Sequence, residues 1–128
     1  MNDERAIREL IEGWAAAVRR QDLDNILAHH AANIVMFDVP APVVLRGLDA
    51  YRESWGPFFE AFSRGGTFEI ADLEITSSDS VAFATALLRC ETGQNDPAPS
   101  EPQLRLTVGL RKVDDSWTVV HEHHSFPQ

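Results

Sequence analysis

The sequence contains a single cysteine, Cys90. An intrachain disulfide is thereby excluded, and so is a cysteine-rich zinc site. Cys90 stands in an apolar strand pattern, where a buried inert thiol is expected rather than a nucleophile. Basic residues are also scarce: eleven against twenty acidic ones leave a formal charge of -9. Such a surface repels phosphate backbones and anionic lipid, so neither nucleic acid nor a membrane is an expected partner. Long apolar runs are missing as well. Nothing reads as a membrane helix or as a basic-then-apolar export leader, and the expected location is cytoplasmic. There is no internal repeat.

What is present suffices for one core. A hydrophobic fraction of 44% over 128 residues suits a single domain, residues 1–128, that buries about two-thirds of its unfolded surface without disulfide or metal.

Ile7, Leu10, Ile11, Trp14 and Val18 recur at three- and four-residue spacing and predict a helix over residues 4–20. Asn2 or Asp3 can cap it, and Arg19 and Arg20 at its end suit its dipole. Asp22 is placed to cap a second short helix, with Leu23, Ile26 and Leu27 inward, His29 and His30 closing it, and Asn33 stopping it. Ile34 to Phe37 reads as a strand, followed at once by Asp38 and by Pro40 and Pro42, which forbid continued pairing except at an edge. Residues 43–46 predict a second short strand. Residues 48–63 predict a third helix with an aromatic stripe of Tyr51, Trp55, Phe58, Phe59 and Phe62, kinked at Pro57 and ended by Gly65-Gly66.

From there the period changes to two. Residues 67–76, 80–91, 103–113 and 116–126 are four strands of an antiparallel meander, and the Pro-rich loop over 93–102 is the expected mobile segment. Three helices followed by a long curved sheet make an α+β layout with helices on one sheet face. Ala82, Ala84, Ala86, Leu88 and Cys90 alternate with Val81, Phe83, Thr85, Leu87 and Arg89, so neither face of that strand is fully polar. A homodimer through the outer sheet face is expected.

The last strand carries three of the five histidines. Strict alternation puts Trp117, Val119, His121, His123 and Ser125 on one face and Thr118, Val120, Glu122, His124 and Phe126 on the other. The first set, apolar and then polar, is the one expected inward; a one-residue slip exchanges the two. A two-histidine, one-carboxylate metal set is conceivable on that face, but no metal is assigned.

The order of elements, with Trp14, Asp22-Leu23-Asp24, Phe37-Asp38-Val39-Pro40 and the closing Trp117 to Ser125 segment, resembles the NTF2-like superfamily, and more narrowly its SnoaL-like, ketosteroid-isomerase-related branch. The resemblance implies a cone-shaped fold: three N-terminal helices on a strongly curved, mostly antiparallel sheet. It also implies a small acid-base enzyme of isomerase, dehydratase or cyclase type that acts, without a cofactor, on a hydrophobic small molecule. The other reading is a non-catalytic binding or dimerisation module. In ketosteroid isomerases an Asp after the first strand shuttles the proton, and Asp38 matches it; His121 and His123 are then the acid or polarising partners. Trp14 stands where those enzymes have a helix-one Tyr, and Val108 where they have a protonated acid. The implied cavity lining is Trp14, His30, Met36, Tyr51, Trp55, Phe59, Phe83, Arg89, Val108 and Ser125. A hydrolase reading, with Asp38 and Arg89 activating water, requires a second carboxylate inside the cone.

Overall fold

The computed structural model describes residues 3–62, 66–91 and 103–127. Asn2, Gly65 and the loop over 93–102 lie outside the described residues. The chain runs α1 (Asp3–Arg20), α2 (Leu23–Leu27), β1 (His30–Phe37), β2 (Leu45–Arg46), α3 (Leu48–Ala61), β3 (Thr67–Ser77), β4 (Val81–Glu91), β5 (Leu104–Val113) and β6 (Ser116–Ser125). No helix among the described residues is long and apolar enough to cross a membrane.

Periodicity explains most of these elements. The α1 stripe buries Ile7, Ile11, Trp14 and Val18 and packs on β3, while α3 packs on β1. The Asp22 side chain caps α2 by accepting the Asn25 N–H. Asp114 and Asp115 both take positive φ, 50° and 65°, the backbone a two-residue hairpin turn needs between β5 and β6. Pro57 stays inside α3. Gly47, at φ 92°, turns the chain from β2 into α3, a conformation that side chains with a Cβ rarely adopt.

The second helix is shorter than expected. It ends at Leu27, His29 takes a left-handed φ of 65°, and His30 already belongs to β1. The local helix pattern loses to a long-range pairing, for the His29 carbonyl accepts the Val119 N–H at 2.7 Å.

The sheet order is β2-β1-β6-β5-β4-β3, and every neighbouring pair is antiparallel except β1 with β6. Among the described residues the parallel pair is the one strand pairing that joins the N-terminal third of the chain to the meander. Ala82, Ala84, Ala86 and Leu88 of β4 point into the core; Val81, Phe83, Thr85, Leu87 and Arg89 stay exposed on the outer face.

One irregularity decides the site. In the β5–β6 pairing Gly109 faces His121 but Leu110 faces Val119, so Val120 is an extra residue on β6. Such a bulge reverses the phase of the strand beyond it. Trp117 and Val119 point inward before it; Glu122 and His124 point inward after it. The expected inward pair, His121 and His123, is therefore on the outer side. Gly109 stands opposite, an isolated strand glycine of the kind that often marks a bulge.

Candidate active site

Glu122 is the centre of a polar cluster sealed inside an otherwise apolar core, with 2% of its surface exposed. Its carboxylate accepts from His30 Nε2 at 2.5 Å, from the Tyr51 hydroxyl at 2.9 Å and from His124 Nε2 at 2.9 Å. The Tyr51 hydroxyl in turn accepts the Trp14 indole N–H at 2.9 Å. Four elements thus converge: α1 brings Trp14, α3 Tyr51, β1 His30, and β6 both Glu122 and His124. The other His30 nitrogen, Nδ1, lies 2.9 Å from the Ala28 carbonyl oxygen. Both ring nitrogens face acceptors, so both carry protons and His30 is an imidazolium.

The electrostatics agree with that assignment. Burial alone would raise the Glu122 carboxyl, but hydrogen bonds and charge from His124 and His30 overcome it and hold the group at about 2. Burial alone would lower His30, and the Glu122 carboxylate outweighs it, leaving His30 raised above its ordinary value. Burial, reinforced by the Glu122 charge, drives the Tyr51 hydroxyl well above its ordinary value, with the Trp14 N–H opposing only in part. Tyr51 stays a neutral donor.

His124 connects this cluster to open space. Its Nε2–H is committed to Glu122, while Nδ1 lies 4.0 Å from Asp38 Oδ1. A carboxylate fixing one ring nitrogen sets the tautomer and orientation of the other. The 4.0 Å gap exceeds a direct hydrogen bond, leaving the two groups free to meet through a bound oxygen. Asp38, just past the end of β1, has its Oδ1 held by the Val39 N–H at 2.8 Å. Both residues line a cavity of about 480 Å³, a volume suited to a small organic molecule. Its walls include Met36, Leu45, Trp55, Phe58, Phe68, Leu104 and Phe126, with the Val39 to Pro42 segment at one side. Cys90 also reaches it, its thiol pushed up to about 11 by burial and by the neighbouring Glu91 charge. Cys90 is half-buried rather than buried as expected.

Of the residues expected to form the site, Asp38, Met36 and Trp55 line the cavity. Trp14, His30 and Tyr51 sit behind it, in the buried cluster or donating to it. Phe59 stacks on Trp55 at 5.9 Å, outside the lining. Val108 is buried on β5 directly across from Glu122, also outside the lining. The remaining expectations fail on position. Phe83 and Arg89 occupy the exposed face of β4, because the alanine row takes the inward face. Ser125 receives the Arg105 Nε–H on the outer side. His121 places Nδ1 2.7 Å from the Val35 carbonyl, and its ring, like that of His123, packs edgewise against Phe37. His121 and His123 are thus separated from Asp38 by the sheet itself, which removes the metal set considered for that strand. Among the described residues no group of three or more metal-ligating side chains comes together.

The sequence reading missed Glu122 and His124 as inward groups and Glu53, Ser54, Phe58, Phe68, Leu104 and Phe126 as lining. The signal available was Gly109, an isolated glycine within a strand pattern, which marks a bulge.

Comparison with known proteins fits this architecture. Residues 7–128 match the SnoaL-like domain family. The chain is similar to an NTF2-like protein of unknown function from Pseudomonas putida KT2440, at 35% identity and a TM-score of 0.85, covering 99% of this chain and 89% of that one. The fold is shared with a ketosteroid isomerase-like protein from Erwinia carotovora atroseptica SCRI1043, at 20% identity and TM-score 0.77, covering 100% and 99%. It is shared also with a cystatin-like-fold protein of unknown function from Nostoc punctiforme PCC 73102, at 17% identity and TM-score 0.79, covering 98% and 91%. No curated protein matches. A cone of helices on a curved six-stranded sheet, matched over nearly its whole length, makes this chain a member of the SnoaL-like family within the NTF2-like superfamily.

Proposed function

We propose that the protein is an acid-base enzyme for a hydrophobic small molecule, with Asp38 and His124 as the two proton-transfer groups. The observation that carries this reading is the setting of His124: one ring nitrogen on the buried Glu122, the other turned toward Asp38 at the wall of an apolar cavity. In this role Asp38 removes a proton from carbon, and His124, held at Nε2 by Glu122, exchanges a proton at Nδ1 with the substrate oxygen. Glu122 is a positioning residue, since it touches His124 and not the cavity. The family resemblance implies a proton-shuttling Asp after the first strand, and the position of Asp38 just past β1 supports this role.

A binding module of the same fold is the second reading, and one observation favours it. The Trp14 N–H is spent on Tyr51, and Val108 is apolar, so the two places where a ketosteroid isomerase holds oxyanion donors supply none to the cavity.

Deuterium exchange decides between them without a known product. Hydrophobic aryl ketones, with and without an amino group, are incubated with the protein in D₂O, and loss of the α-proton signal is followed by NMR. Enzyme-accelerated exchange that falls roughly 10²- to 10⁴-fold in Asp38→Asn and in His124→Gln supports the enzyme. Binding of the ketones with no accelerated exchange in wild type supports the module instead.

A further inference from the structure

We infer that the cavity selects a hydrophobic cation, an amine or ammonium compound, over neutral and anionic molecules of the same shape; this rests on reading the cavity as the ligand site. Among its described lining residues there is no lysine or arginine, and the carboxylates are Asp38 and Glu53. Asp38 Oδ1 takes the Val39 N–H and faces His124, whereas Oδ2 receives no hydrogen bond from the described residues. An anionic ligand would add negative charge beside these groups, with no lysine or arginine among the described lining residues to answer it. A cation meets the opposite situation.

The apolar walls strengthen the preference. Trp55, Phe58 and Phe68 follow one another at centroid distances of 5.3 and 5.9 Å, with planes at 90° and 73°, so they form corners. A cation lying against an aromatic face within about 6 Å is attracted by the ring quadrupole, most strongly where water is excluded. The mean field of the molecule acts the same way, since a net charge of -9 draws cations toward any opening. The cluster behind His124 does not cancel this, because the Glu122 anion is balanced by the His30 cation. The preference also accounts for the missing oxyanion donors: the site is equipped to hold positive charge and poorly equipped to hold negative charge.

The test is isothermal titration of the full chain with benzyltrimethylammonium, its carbon isostere neopentylbenzene and phenylacetate. The expected result is an ammonium affinity roughly tenfold above that of the isostere, with phenylacetate weakest. Glu53→Gln, an exposed change that leaves the core untouched, and Asp38→Asn should each lower the ammonium affinity roughly fivefold while sparing the isostere. Equal affinity for ammonium and isostere, or tighter binding of phenylacetate, overturns the inference and leaves the acid-base reading standing. Absence of binding by all three overturns the inference too. The exchange experiment then judges the acid-base reading separately.

Discussion

Replacing Glu122 by glutamine keeps the shape of the side chain and removes its charge, which isolates what the charge contributes. In the folded protein the carboxyl sits at about 2 against an ordinary 4.5. That difference corresponds to about 3 kcal/mol of stability at neutral pH. Because the folded value is depressed, this contribution is complete above pH 4.5 and is lost as pH falls from there toward about 2. His30 works in the opposite sense. Its folded value is raised above 6.5, so its contribution is complete below 6.5 and fades as pH rises through the raised value. Both are in force between roughly pH 4.5 and 6.5. Glu122→Gln should therefore cost about 3 to 5 kcal/mol at pH 6, since it strands a buried imidazolium. For a chain of this length that is a fall in Tm of roughly 10 to 20 °C. At pH 3 the wild type has itself lost much of the contribution, and the two proteins should converge. Urea unfolding at half-unit pH steps from 3 to 8 measures the whole curve. Parallel curves for wild type and variant across the acid range, or a cost below 1 kcal/mol at pH 6, would refute the assignment of Glu122 as a charged group clamped by His30 and His124.

The remaining predictions are read more simply. Tyr51→Phe removes the acceptor of the Trp14 N–H and a donor to Glu122, and should cost about 1 to 3 kcal/mol in urea unfolding. Gly47→Ala should cost about 1 to 2 kcal/mol through backbone strain alone, because the space there is open: the nearest atom to an added Cβ is the Ala32 carbonyl oxygen at 3.8 Å. Exposed Val81, Phe83 and Leu87 lie between an acidic row on β3 (Glu69, Asp72, Glu74) and Arg105 and Arg111 on β5, a face that two copies in antiparallel stacking would satisfy. Sedimentation equilibrium should give a dimer that Phe83→Glu converts to monomer.

The sequence announces the elements far better than it announces the site, and particular residues show why. Helices and meander strands depend on local periodicity, and α1, α3 and β3 to β6 begin and end within a residue or two of the expected limits. His30 was legible as an interesting residue but not as a strand residue, because its place is set by pairing with Val119 some ninety positions away. Asp38 could be found from its position after β1. Its partner could not be found by alternation, since alternation holds only while the register holds, and the bulge at Val120 breaks it. The protonation state of Glu122 was beyond reach of the sequence, because it depends on donors from two other elements, β1 and α3, as well as on His124 of its own strand. The lining contributed by Val39 to Pro42 depends on how an irregular segment folds back, for which no periodic signal exists.

The β6 bulge has a consequence for how such a site can change. Substitutions alter which groups a strand carries, but none of them exchanges the two faces; only a change in residue count does. The run His121-Glu122-His123-His124 contains two imidazole-bearing alternatives, and Val120 decides which one meets the cavity. Chemistry here is written in a reading frame. A relative that matches these four letters but lacks the extra residue upstream would turn a different histidine to its ligand, so transfer of function along an alignment must first compare the spacing between the Trp117 and Glu122 positions.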